Sequence, residues 1–287
     1  MDYKRITAVV GGAESNRSTI GLAFAVGKQF GAHVDALHVR ADPRQAIPYM
    51  GEGMSGAMVD DILRMAEKEA AERATKARDT FNELCKAHSV PIVESPSSVE
   101  AVTAAWVELA GRDEEVIARR GRVTDLIVAA RPLMSAELPS TTALEAALLD
   151  TGRALLIAPP TAPAQVGNAA VIAWLGSVEA SRAVASSLPF LARAKRVQIV
   201  SWGEHISASS ADDLKDYLAW HGIEAKMSAI DAPGTDVGEP LLAECKSVGA
   251  DLLIMGGYTR SRLRQMILGG TTSHVMRNAE IPVLMAH

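Results

Sequence analysis

Aromatic residues make up only 4% of this 287-residue chain, and cysteine occurs twice, at Cys85 and Cys245. A core short of rings must be built from Val, Ile, Leu, Ala and Met, which fits a hydrophobic content of 48%. Two distant cysteines in helix-like contexts exclude a disulfide scaffold or a CxxC-type metal site and read as small buried groups in a reducing compartment. Charge of one sign is not in excess: 29 basic against 34 acidic residues give a net −5, which argues against a long nucleic-acid surface but permits a local basic cluster. No apolar run reaches the ~18 residues of a membrane helix, and "MDYKRITAVV" has no signal-peptide h-region, so a cytoplasmic protein off the membrane is expected. Catalytic signatures are missing too. HExxH, GxSxG and GxxxxGK[ST] are absent, "VVGGAES" after the first strand has adjacent glycines rather than the GxGxxG spacing, and the acidic pairs Asp60-Asp61 and Asp212-Asp213 sit on helical stretches as solvated faces. The expectation is a non-enzyme, or at most a slow ATP hydrolase, with no metal site.

What the chain does contain is one unit written twice. Apolar runs of strand length recur at 6–10, 33–39, 91–95, 125–130 and 154–159, then at 170–175, 196–202, 224–229, 251–256 and 282–286. Helical periodicity separates them, so each set of five predicts an α/β unit whose buried parallel strands read as continuous β-branched runs. Asp125 and Asp251 open the fourth strands of the two units, an offset of 251 − 125 = 126. Leu155 and Val283 lie in the fifth strands, an offset of 283 − 155 = 128. His88 and His221 correspond, each at a helix end, where a histidine suits the terminal carbonyls. "APPTAPAQVGN" (158–168) is the linker, which divides the chain into 1–160 and 168–287. Only 41–88 has no counterpart: a Gly- and Met-containing loop feeds a long charged helix with Leu63, Ala66, Ala70, Ala74, Ala77, Phe81 and Leu84 on one face. Met50, Met54, Met58 and Met65 could line a small-molecule pocket or a partner surface, although such methionines more often fill gaps in a core.

Binding chemistry concentrates near the C-terminus, in "LLIMGGYTRSRLRQMILGGTTSHVMRNAEIPVLMAH" (252–287). The pairs Gly256-Gly257 and Gly269-Gly270 open the backbone on either side of a basic segment, and Thr271 and Thr272 start a helix. Amides at Gly256 to Thr259 and at Gly270 to Thr272 could converge on one anion at the helix N-terminus, with Arg260, Arg262 and Arg264 nearby. A glycine turn that only packs tightly is the competing account.

The spacing resembles the C-terminal signature of the universal stress protein family, G-x2-G-x9-G-[ST]. Gly256 matches its first glycine and Gly269 the glycine after the nine-residue spacer. "SRLR" (261–264), "GGTT" (269–272) and "AWLGSVEASRAV" (173–184) are similar to tandem members. The resemblance implies two mostly parallel five-stranded sheets of order 3-2-1-4-5 with helices on both faces, an adenine nucleotide alpha-hydrolase-like (Rossmann-like) arrangement. It also implies pairing of the two units through their fifth strands, a mode open to a homodimer as well. The ligand implied is ATP or a related adenine nucleotide in the second unit, bound by Trp174, Leu175, Trp202, Met255, Gly256, Gly257, Tyr258, Thr259, Arg262, Gly269, Gly270, Thr271 and Thr272. Three positions depart from the pattern. Thr259 replaces the second glycine, Gly270 stands where a hydroxyl is usual, and Leu175 occupies a position usually acidic or amide. Trp174 and Trp202 could stack on an adenine or simply pack on helices. The first unit reads "VAARPLMSAELPSTTALEAALL" (128–149), with Ala130 at the first glycine position and Pro132 lacking an amide donor, so it should hold no site. Two readings stay open: a stress-response regulator with a weak nucleotide site, or a scaffold protein whose nucleotide site is vestigial.

Overall fold

A computed structural model describes residues 2–11, 15–40, 56–95, 101–131, 141–202, 208–230, 237–257 and 270–287. In the first half the elements are β1 (Arg5–Val10), α1 (Ser15–Phe30), β2 (His33–Arg40), α2 (Gly56–His88), β3 (Thr103–Ala110), α3 (Asp113–Gly121), β4 (Leu126–Ala130), α4 (Thr141–Leu149) and β5 (Ala154–Ala158). The second half follows with β6 (Ala169–Ala173), α5 (Val178–Leu191), β7 (Arg196–Ser201), α6 (Ala208–Trp220), β8 (Ala225–Ala229), α7 (Gly238–Ser247), β9 (Leu252–Gly256), α8 (Thr271–Asn278) and β10 (Val283–Ala286).

The strands form one ten-stranded sheet in the order β3-β2-β1-β4-β5-β10-β9-β6-β7-β8. Each half has the order 3-2-1-4-5, but two separate five-stranded sheets, expected from the sequence, do not occur. The reason is the seam. β5 and β10 are apolar and fully buried, and they pair antiparallel, so the two sheets become one. An unpaired apolar edge there would leave a row of backbone donors and acceptors without partners. Leu156 faces Leu284 at the centre of the seam, an offset of 284 − 156 = 128. Each central residue thus meets its own repeat equivalent, as a twofold axis requires.

Helices α1, α2, α5 and α6 cover one face of the sheet and α3, α4, α7 and α8 the other, and each buried layer runs continuously through both halves. The long helix α2 buries Ala70, Ala74, Ala77, Phe81 and Leu84, the stripe its periodicity predicts. The halves are also joined below the seam. Tyr3 and Phe30 pack on Phe190, the Tyr3 hydroxyl donates to the Ser186 carbonyl, and the Arg193 guanidinium lies 4.5 Å from the centre of the Phe30 ring.

The equivalent aspartates clamp the starts of equivalent strands. Asp125 accepts from the amides of Lys4 and Arg5 at 2.8 and 2.9 Å. Asp251 accepts from those of Gly167, Asn168 and Ala169 at 3.1, 3.1 and 2.8 Å. The linker therefore ends in a fixed turn, with Val166 buried and Gly167 at φ +85°. One strand lies elsewhere than expected. Residues 91–95 make only a bridge between Ile92 and Ala104, and the third strand of the first half is 103–110. Pro91 has no amide to donate, and β3, TAAWVELA, is the half-exposed outer strand. His88 ends α2 with its ring 6.0 Å from Phe24, and His221 follows α6 with its ring 4.8 Å from Tyr217.

Candidate functional site

In the second half the chain leaves β6 towards β7 and β8, then crosses back to β9 on the other side. The crevice above the C-terminal ends of β6 and β9 is thus a topological switch point, the place where open α/β sheets bind ligands. Ala173 pairs with Met255, so Trp174, Leu175, Gly256 and Gly257 meet just beyond the strand ends. Met255 itself is buried in the core, while Leu175 is exposed.

The first glycine pair has packing partners. A Cβ on Gly256 would lie 2.6 Å from the amide nitrogen of Ala180, in the first turn of α5. That turn is fixed by Ser177, whose hydroxyl accepts from the same amide at 3.1 Å. Gly256 lets the start of α5 lie flush on β9. A Cβ on Gly257 would come within 2.9 Å of Leu148, from α4 of the other half. Its amide donates to the Ala286 carbonyl at 2.8 Å, and its carbonyl accepts from His287 Nδ1 at 3.0 Å. The expectation that the Gly257 amide joins an anion nest is therefore corrected: β10 takes that donor.

Gly270 differs. It precedes α8 with φ 111° and ψ 157°, backbone values open in practice only to glycine, and among the described residues an added Cβ there meets nothing within 4 Å. β9 and β10 are parallel and α8 connects them, so the helix starts at the same rim as the crevice. The amide of His274 is the first to bond back, to the Gly270 carbonyl at 3.1 Å, which places the amides of Thr271 and Thr272 ahead of the ladder. Tyr258, Thr259, Arg262 and Gly269 lie outside the described residues.

The two tryptophans face apart. Trp174 packs on the α5–α6 side and donates from Nε1 to the Ser210 carbonyl and hydroxyl at 3.0 and 3.1 Å, whereas Trp202 packs in the layer beneath α7 and α8. They do not form a joint stacking platform. One residue was overlooked in the sequence: Glu179, two positions after the Ser177 cap. Its Cβ lies 3.0 Å from where a Gly256 Cβ would stand, which brings a carboxylate-bearing side chain to the rim. The pattern "SVEA" announces an acid in a first turn, but only the fold sets it beside Gly256.

The equivalent crevice in the first half is filled. Among the described residues, Val9, Val10, Gly11, Val39, Asp113, Ile117 and Ala143 leave a cavity of about 10 Å³, the size of one water. Burial, reinforced by Glu114, pushes the Asp113 carboxyl up to about 6. Asn16 is buried, with Oδ1 accepting from the Gly11 amide at 3.0 Å. Arg131, next to Ala130, donates to the Arg277 carbonyl of α8 at 2.8 Å, so the glycine-loop position of this half serves contact between halves. Both cysteines are buried, which raises Cys85 to about 11 and Cys245 to about 12 and leaves neither reactive at neutral pH. Among the described residues no three His, Cys, Asp or Glu side chains gather as a metal site, and no helix is long and apolar enough to cross a membrane.

The fold and the crevice define a doubly wound α/β protein made of two like units joined back to back. The model of the universal stress protein family matches residues 203–287, within the second half of this chain. The likeness in fold spans the whole chain. A universal stress protein from Archaeoglobus fulgidus DSM 4304 has a TM-score of 0.66 at 15% identity, covering 98% of this chain and 95% of the other. A functionally unknown protein from Pseudomonas aeruginosa PAO1 has 0.55 at 13% identity, covering 98% and 92%. No curated protein matches the chain.

Proposed function

We propose that this chain is a tandem universal stress protein of the cytoplasm, a stress-response regulator that binds one adenine nucleotide weakly in its second half and does not turn it over. Gly270 carries the reading: its backbone demands glycine while none of the described residues crowds it, and the start of α8 offers its first amides to a phosphate. The exposed rim at Leu175 and the switch-point crevice support it. Glu179 and the spent Gly257 amide lower the affinity by placing a carboxylate, and removing a donor, where phosphates would lie. A second reading, a partner-binding scaffold with a vestigial site, is favoured by the packing of Gly256 and Gly257, which explains both without a ligand.

Isothermal titration with ATP decides between them. We expect saturation at one nucleotide per chain, tighter binding in Glu179→Gln, and loss of binding in Gly270→Val, whose backbone strain lowers its melting temperature but leaves it folded at the temperature of titration. Absence of binding to both the native chain and Glu179→Gln would leave the scaffold reading standing.

A further inference from the structure

In the first half, where β1, β2 and β3 begin, lies a cavity of about 830 Å³. That volume is within the ~300–1,000 Å³ of small-molecule sites. Four fixed cations line it, Lys4, Arg5, Arg78 and Arg120, against two acids, Asp35 and Glu94. The surplus stands out on a chain of net charge −5.

Asp35 is the post on which the cluster is built. It is 4% exposed, and its Oδ2 takes Arg5 through Nε at 2.8 Å and a terminal nitrogen at 2.7 Å, with Arg120 at 3.6 Å. Its other oxygen lies 3.3 Å from His33 Nε2, and His33 Nδ1 lies 2.8 Å from the Thr103 hydroxyl. One carboxylate thus orients two guanidiniums and cannot neutralise both. Arg78, exposed on α2, and Lys4 have no ion partner among the described residues.

Apolar wall is supplied by Phe81 and Trp106, whose rings lie 5.8 Å apart. The indole N–H of Trp106 is buried without an acceptor among the described residues. An acceptor on a bound molecule would satisfy such a donor. The cluster is not a by-product of the repeat. Strand register places Gln198 at the position of Asp35, and there Gln198 Nε2 closes a neutral-to-acidic network with Ser228 and Glu244, both at 2.7 Å.

We propose that this rim cavity binds a small organic anion, one with a carboxylate, phosphate or sulfonate group on a flat apolar body. The anionic group meets Arg78, Lys4 and the outer faces of Arg5 and Arg120, and the body lies against Trp106 and Phe81. Planar guanidinium forks suit such oxyanions, and the ring wall suits a flat body. The site lies at strand N-termini of the first half, apart from the proposed nucleotide crevice at β6 and β9 of the second half.

The probe is 1-anilinonaphthalene-8-sulfonate, with the uncharged N-phenyl-1-naphthylamine as its control, titrated by fluorescence into the full chain. We expect saturable binding of the sulfonate that weakens with salt, falls about tenfold or more in Arg78→Glu and several-fold in Trp106→Phe. The uncharged control should respond equally to native protein and Arg78→Glu. Arg78 is exposed and unpaired, so its melting temperature should match the native one, and Lys4→Glu serves as a second reversal. Gly270→Val, in the second half, should leave sulfonate binding intact. Sulfonate binding that is equal in the native chain and both charge reversals, or no saturable binding at all, overturns the proposal.

Discussion

The methyl group that Gly256 lacks would press on the Ala180 amide nitrogen at 2.6 Å, a contact that only a shift of α5 could relieve. Overpacking of this kind costs about 1–3 kcal/mol. Gly256→Ala should therefore lower the melting temperature by several degrees without any nucleotide present. A variant that melts like the native chain but loses ATP would show instead that this glycine serves the ligand. Asp113 offers a pH test. Its carboxyl, pushed to about 6 by burial, titrates above its ordinary 3.8, so the native state holds the proton more tightly than the unfolded chain. The sign follows: stability falls as pH rises from about 4 through 6, because the buried carboxyl must ionise. Asp113→Asn should stabilise the protein by about 1–2 kcal/mol at pH 7.5, after discounting for partial solvation, and by almost nothing at pH 4. Thermal melts at both pH values check it, and equal gains at both would overturn the assignment.

Among the elements, the strand starts are held by one carboxylate each. Asp251 satisfies three amides ahead of β6, and Asp125 two ahead of β1. Bonds to a charged acceptor are the stronger kind, and each orphaned donor adds its desolvation cost. Asp251→Ala should destabilise by about 2–4 kcal/mol, more than Asp125→Ala, with Asp251→Asn between it and the native chain. Denaturant unfolding measures the order, and the reverse order would mean that the linker turn stands without its clamp.

The whole molecule depends on the seam. β10 is buried and its partner β5 belongs to the other half, so a chain of residues 168–287 alone presents an apolar edge. Such an edge pairs with whatever strand is complementary, and the β10 of a second copy has the same antiparallel geometry. Light scattering should find this fragment as a dimer, and Leu284→Lys in it should give a monomer. A monomeric native fragment would place the holding energy in the Tyr3–Phe30–Phe190 cluster instead.

Local pattern was enough to reveal nine of the ten strands, the doubling of the unit and the equivalence of Asp125 with Asp251, because continuous burial writes itself into neighbouring residues. The spacing of Gly256, Gly269 and Gly270 was legible in the same way. β3 was not, since the β-branched run at 91–95 reads more like a strand than the alanine-rich, half-exposed TAAWVELA that follows it. Nor could sequence tell why Gly256 and Gly257 are bare: the atoms that exclude their side chains come from α5 and α4, far away along the chain. The single sheet, the opposed faces of Trp174 and Trp202, and the cation cluster around Asp35 likewise arise from contacts between distant segments. Periodicity records that a residue is buried, whereas the partner that buries it is chosen only when the chain closes on itself.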